Sequence, residues 1–237
     1  ANYMRLALDE ATDGDLELRI NSGGGDVFEG QAIYSLLESW KTTTGNRIIV
    51  YIDGIAASVA SVIAMAGSEI HMSSNALMMI HNPWTPSAVG GSEDLRDLAN
   101  VLDKIRETIV TVYETRSGID RDAIGLMMDE ETWFTAAEAV NFGFADQIVN
   151  ASEETVASIK AFNYVNAPDW IRAVEPVEDT VAEPVAVRRS LAKAKLAAER
   201  CCNKTSKNYN QRISLALIQS ASGRLLISGR ENSDTQT

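Results

Sequence analysis

Ser58 and His81 are the residues of this chain best suited to do chemistry. Ser58 stands in Asp53-Gly54-Ile55-Ala56-Ala57-Ser58-Val59-Ala60-Ser61, and His81 in Met78-Met79-Ile80-His81-Asn82-Pro83. A serine hydroxyl is nearly inert at neutral pH until a neighbour takes its proton, and imidazole is the side chain best matched to that task. The chain has two histidines in 237 residues, so a serine nucleophile has little choice of base. His71, between Ile70 and Met72 with no turn beside it, is the weaker candidate. If Ser58 and His81 meet, the chemistry is acyl transfer.

Two further segments fit that chemistry. Ser58 follows a strand and a turn and opens a helix, which exposes its hydroxyl and sets the first helical N–H groups beside developing negative charge. A serine in that place, taken alone, is more often a plain helix cap in a small-residue packing interface. Asn21-Ser22-Gly23-Gly24-Gly25 is a strand followed by a glycine turn whose backbone N–H groups can donate to an oxyanion. No Gly-x-x-x-x-Gly-Lys pattern follows, so a nucleotide loop is disfavoured. A third group should orient the imidazole. Asp129, Glu130 and Glu131, just before Thr132-Trp133-Phe134, form the acidic cluster nearest an expected strand.

The elements that must position these residues alternate between strand and helix. Strands are expected at 16–20, 47–52, 70–72, 76–80 and 145–149, and helices at 27–40, 58–66, 92–116, 119–128 and 135–142, with Ser92 and Thr135 as helix caps and Gly54 turning the chain. Residues 92–116 carry Leu95, Leu98, Leu102, Ile105, Ile109 and Val112 as an apolar stripe. The alternation predicts an α/β fold with a parallel sheet. The opening residues read as the middle of a helix, and the chain is expected to be a fragment or a processed product.

Composition limits the function further. Residues 1–187 hold 11 Lys+Arg against 30 Asp+Glu, whereas residues 188–237 hold 10 against 3. The acidic part argues against nucleic-acid binding, which is left to the basic tail alone. The organisation expected is a folded domain over 1–150, an acidic, proline-containing linker over 151–187 and a basic tail over 188–237, partly helical (188–200) or without fixed structure. Cys201 and Cys202 are adjacent and build no disulfide framework, which fits a reducing cytoplasm. No apolar run is long enough to cross a bilayer, and no metal-ligand spacing is present.

Taken together and in order, Ile20-Asn21-Ser22-x-Gly24-Gly25, Gly54-x-Ala56-Ala57-Ser58, Met79-Ile80-His81-x-Pro83 and Glu138-Ala139-x-x-x-Gly143-x-x-Asp146 resemble the ClpP family of serine peptidases over about residues 16–150. Asp26-Val27-Phe28-Glu29-Gly30, His81-Asn82-Pro83 and Glu131-Thr132-Trp133-Phe134 look most like the head maturation (prohead) proteases of tailed phages and prophages. The resemblance implies a ClpP/crotonase-type fold with a long handle helix near 92–116 and a flexible C-terminal extension. It implies Ser58 as nucleophile, His81 as general base, and the N–H groups of Gly24 and Val59 as oxyanion donors. Glu131 falls where the family has its catalytic aspartate, one methylene longer, with Asp129 as the alternative acid, and Gly23 replaces the family's proline. No cofactor is implied. The partners implied are copies of the chain in a ring and capsid or scaffold proteins as substrates, in the host cytoplasm or prohead. The alternatives are a cellular Clp-type peptidase fed by an ATPase, a catalytically silent scaffold with the same fold, and a crotonase-type acyl-CoA enzyme. A Ser/Lys site is disfavoured, since Lys41 and Lys104 lie away from these motifs.

Overall fold

The computed structural model describes residues 1–11, 14–150 and 166, and the strands at 213–219 and 225–231. Its elements run α1 (Asn2–Glu10), β1 (Leu16–Ser22), α2 (Val27–Thr44), β2 (Ile48–Ala57), α3 (Val59–Ala64), β3 (Glu69–Ser73), β4 (Leu77–Ile80), α4 (Ser92–Ser117), α5 (Arg121–Asp129), β5 (Thr132–Thr135), α6 (Ala136–Asn141), β6 (Gln147–Val149), β7 (Ile213–Gln219) and β8 (Leu225–Glu231). This is the expected mixed α/β fold, with the long helix in place.

The sheet order is β5-β4-β2-β1-β7-β8, and β3 joins β2 to β6. The pairings are parallel except β4–β5 and β7–β8. β2 carries two neighbours in succession: residues 49–52 pair with β3 and residues 55–57 with β4. Gly54, expected to turn the chain, lies instead inside a ten-residue strand. A Cβ at Gly54 would stand 2.9 Å from Asn21 Oδ1, so the glycine allows β1 close approach where the β1–β2 register shifts.

Local chemistry sets the helix ends. Asp26 caps α2 by accepting from Glu29 N–H, and Gly45 ends it at φ 73. Thr135 and Glu138 form the expected capping box of α6. The cap of α4 differs from expectation: Ser92 is already helical, and the Asp94 carboxylate accepts the Gly91 N–H at 2.8 Å. Of the apolar stripe of α4, Ile105 and Ile109 are buried, with Val110 and Tyr113 beside them, while Leu95 is exposed, as is the neighbouring Val101.

α3 is buried throughout, between the sheet and α2. Its crossing with α2 depends on Gly30, where a Cβ would stand 2.0 Å from Val59 Cγ2. Most of the expected linker and tail, including the helix placed at 188–200, lies outside the described residues. Within 188–237 the described residues are strand, not helix: β7 pairs with β1 and β8 with β7.

Candidate active site

Ser58 lies between the end of β2 and the start of α3, at φ 55 and ψ −132. Few L-residues adopt that backbone, and holding it costs about 1–3 kcal/mol. The surroundings fix it. Ser58 N–H donates to Met79 O at 3.0 Å, and Ser61 N–H donates to Ser58 O at 2.9 Å. The result is a sharp elbow that lifts Oγ from the sheet end toward β4.

His81 follows the last residue of β4, beside that elbow because β4 pairs with Ile55–Ala57. Its Nε2 is 2.7 Å from Ser58 Oγ. When the ring accepts the hydroxyl proton at Nε2, its own proton must sit on Nδ1. Burial pushes the imidazole pKa below its usual value, and the nearby Glu131 carboxylate works in the opposite sense. His81 is therefore neutral, as a base must be, at neutral pH. The other histidine, His71, packs edge-on against Tyr51 at 5.0 Å, away from this cluster.

Glu131 is the carboxylate whose charge raises the His81 pKa. It is buried, at φ 49, where α5 turns into β5. Its Oε1 accepts from Asn166 N–H at 2.8 Å and from Trp133 Nε1–H at 3.2 Å. Asp129, the alternative acid, is half exposed and engaged elsewhere, with Asn82 Nδ2 at 2.8 Å and Arg106 Nη2 at 3.1 Å. Arg106 Nε also donates to Asn82 Oδ1 at 2.9 Å, so α4 ties the residue after His81 to the α5 end that leads into Glu131.

The glycine loop closes the site from β1. A Cβ on Gly24 would fall 2.7 Å from Ser58 Cβ, so the loop rests directly on the nucleophile candidate. Gly24 N–H donates to Ser22 Oγ at 3.2 Å, a long bond that an oxyanion can outcompete. Val59 opens α3 immediately after Ser58, and first-turn N–H groups have no partner within the helix. The structure thus brings together Ser58, His81, Glu131, Gly24 and Val59 from four separate segments, Ser58 and Val59 being neighbours at the head of α3.

Sequence reasoning missed Asn166, Trp133, Asn82 and Arg106. Asn166 stands in the expected linker, where composition carries no signal for a contact 35 residues away. Among the described residues, no helix is long and apolar enough to cross a membrane, and no group of His, Cys, Asp and Glu is arranged to hold a metal ion.

The model of the Clp protease family matches residues 3–152. The chain is 31% identical over 147 residues to an ATP-dependent Clp protease proteolytic subunit of Bacteroides fragilis, covering 61% of this chain and 69% of that protein. It is 32% identical over 138 residues to proteolytic subunit 1 of Protochlamydia amoebophila, covering 57% and 65%. It is 30% identical over 151 residues to proteolytic subunit 1 of Leifsonia xyli, covering 62% and 73%. The chain spans about two thirds of the length of these relatives.

Proposed function

This chain belongs to the Clp protease family, and from that premise we propose that it is a serine endopeptidase working through an acyl-enzyme. The observation that carries the reading is the 2.7 Å contact between Ser58 Oγ and His81 Nε2. His81 takes the hydroxyl proton as Ser58 Oγ attacks the carbonyl carbon of the scissile bond. The carbonyl oxygen becomes an oxyanion and is held by the N–H groups of Gly24 and Val59. The tetrahedral species collapses to an ester on Ser58 as His81 passes its proton to the leaving amine. Water, deprotonated by the same ring, then hydrolyses the ester. Glu131 stabilises the imidazolium formed in each half.

The motifs at Asp26–Gly30, His81–Pro83 and Glu131–Phe134 support capsid or scaffold proteins as substrates during phage head maturation, in the host cytoplasm or prohead. A ring of identical chains is supported by Leu95 and Val101 on α4, and by Trp84 and Val89 before it, all exposed in the single chain. The second reading is a peptidase fed by an unfolding ATPase. The names of the relatives favour it.

Fluorophosphonate labelling with the adduct located by mass spectrometry tests the chemistry. Labelling at Ser58 that is lost in Ser58→Ala and His81→Ala is expected. A folded wild-type protein that takes no label overturns the peptidase reading in favour of a silent scaffold. Incubation with a folded head protein, with and without ATP and a Clp unfoldase, separates the two peptidase readings.

A further inference from the structure

Ser61, fully buried one turn after Ser58, has a hydroxyl with three polar neighbours. Its Oγ is 2.6 Å from Ser58 O, 2.9 Å from Met79 O and 2.8 Å from the Tyr113 hydroxyl. A serine hydroxyl has one proton, and a carbonyl only accepts. That proton is therefore spent on the two carbonyls, and the Tyr113 contact must be made with the phenol's own proton. Tyr113 comes from α4 and is 1% exposed. Burial pushes its pKa far above the ordinary phenol value, so it remains a donor throughout the working pH range.

The same few atoms hold both backbone polar groups of Ser58. Its N–H goes to Met79 O, and its C=O takes both the N–H and the hydroxyl of Ser61. The strained elbow is thus held from outside its own segment, and the outermost link is a side chain 52 residues beyond Ser61.

We infer that Ser61 and Tyr113 are positioning residues for Ser58, with the Tyr113-to-Ser61 hydrogen bond fixing the Ser58 carbonyl and so aiming Oγ at His81. The inference rests on the reading of Ser58 as nucleophile. Neither residue touches the reacting atoms. If the pair only satisfied buried polar groups, its loss would lower stability and leave the chemistry of each folded molecule alone. A positioning role requires the chemistry to change, because displacing a reacting group by about 1 Å costs about 10²-fold in rate.

The experiment compares the full chain with Tyr113→Phe, Ser61→Ala, Ser61→Thr and the Tyr113→Phe/Ser61→Ala double variant. The readouts are the second-order rate of fluorophosphonate labelling at Ser58, kcat and KM on a chromogenic acyl ester, and the thermal midpoint. Labelling and kcat are expected to fall about 10- to 100-fold in Tyr113→Phe and Ser61→Ala, with KM little changed. The double variant should be no slower than the slower single one, since the two hydroxyls act as one unit. Ser61→Thr keeps the hydroxyl and should recover most of the rate. Tyr113→Phe loses one oxygen and keeps its ring packed edge-on against Phe144, at 5.7 Å, so it decides the matter should Ser61→Ala fail to fold. Folded Tyr113→Phe that labels at the wild-type rate overturns the inference while leaving the nucleophile reading intact. Wild type unlabelled at Ser58 overturns both.

Discussion

Gly24 and Ser58 are pressed together: a Cβ added to Gly24 would stand 2.7 Å from Ser58 Cβ and 2.8 Å from the Ala57 carbonyl oxygen. At φ 101 the position also excludes most side chains by its backbone alone. Gly24→Ala should cost about 1–3 kcal/mol of stability and slow labelling by about 10²-fold or more, as loss of an oxyanion donor does. Urea unfolding and labelling kinetics measured together check both. A wild-type labelling rate in this variant would remove Gly24 from the oxyanion site.

The pH profile follows from the two opposed influences on His81. Burial lowers its pKa, and the Glu131 charge raises it. The acid limb of kcat/KM should therefore lie below the ordinary imidazole value of about 6.5. In Glu131→Gln the raising influence is gone, so the limb should move further toward acid while the plateau falls by about 10²-fold or more. Stability follows the same linkage. The contribution from keeping His81 neutral is present above the unfolded-state value and is lost as pH falls through the lower folded one. A limb that moves upward in Glu131→Gln would contradict this assignment.

Asp129 and Glu131 separate cleanly by substitution. Asp129 is half exposed and pairs with Arg106 and Asn82. A solvated pair of this kind contributes less than about 1 kcal/mol. Asp129→Ala should change the labelling rate by only a few-fold, whereas Glu131→Ala should reduce it by orders of magnitude. Equal effects would return Asp129 to candidacy.

Gly30→Ala tests the support beneath the nucleophile. Its new methyl group would stand 2.0 Å from Val59 Cγ2, and α2 must move off α3 to admit it. A cost of about 1–3 kcal/mol is expected for overpacking of this kind. It should appear as a lower urea midpoint, with slower labelling because Val59 follows Ser58 directly.

The C-terminal hairpin covers one edge of β1 from Leu16 to Asn21. Ending the chain after residue 212 would leave that edge unpaired, beside the glycine loop. Amide exchange of residues 16–21 should then accelerate, and the protein should become more prone to associate. Unchanged protection of β1 would show that the hairpin is dispensable to the sheet.

Much of this architecture is legible in residue order. The alternation of Leu16–Ile20, the β-branched run before Gly54 and the capping pair Thr135/Glu138 fix their elements through local preferences that tertiary packing did not override. Ser58 and His81 stand out because histidine is scarce and each lies at the end of a strand. Glu131 is harder to read, since a run of three acids does not say which one turns inward. The choice is made by the backbone at Glu131 and by burial against Trp133. Gly54 misleads because a glycine that admits a neighbouring strand has the same spelling as one that turns the chain. The Ser61–Tyr113 bond leaves no local trace, because its two halves are 52 residues apart and each is an ordinary helical residue by itself.

Among the described residues, only two that are not glycine have positive φ, Ser58 and Glu131. At Ser58 glycine would relieve the backbone and delete the hydroxyl that faces His81, so backbone ease and chemistry are in direct competition there. At Glu131 the same exchange would also strip the acceptor from the Asn166 and Trp133 N–H groups, so the carboxylate that serves the site is tied into the packing around it. A laboratory population of this chain selected for thermal persistence alone would be free to surrender the hydroxyl and not the carboxylate, and would lose its chemistry at the first position while keeping the second.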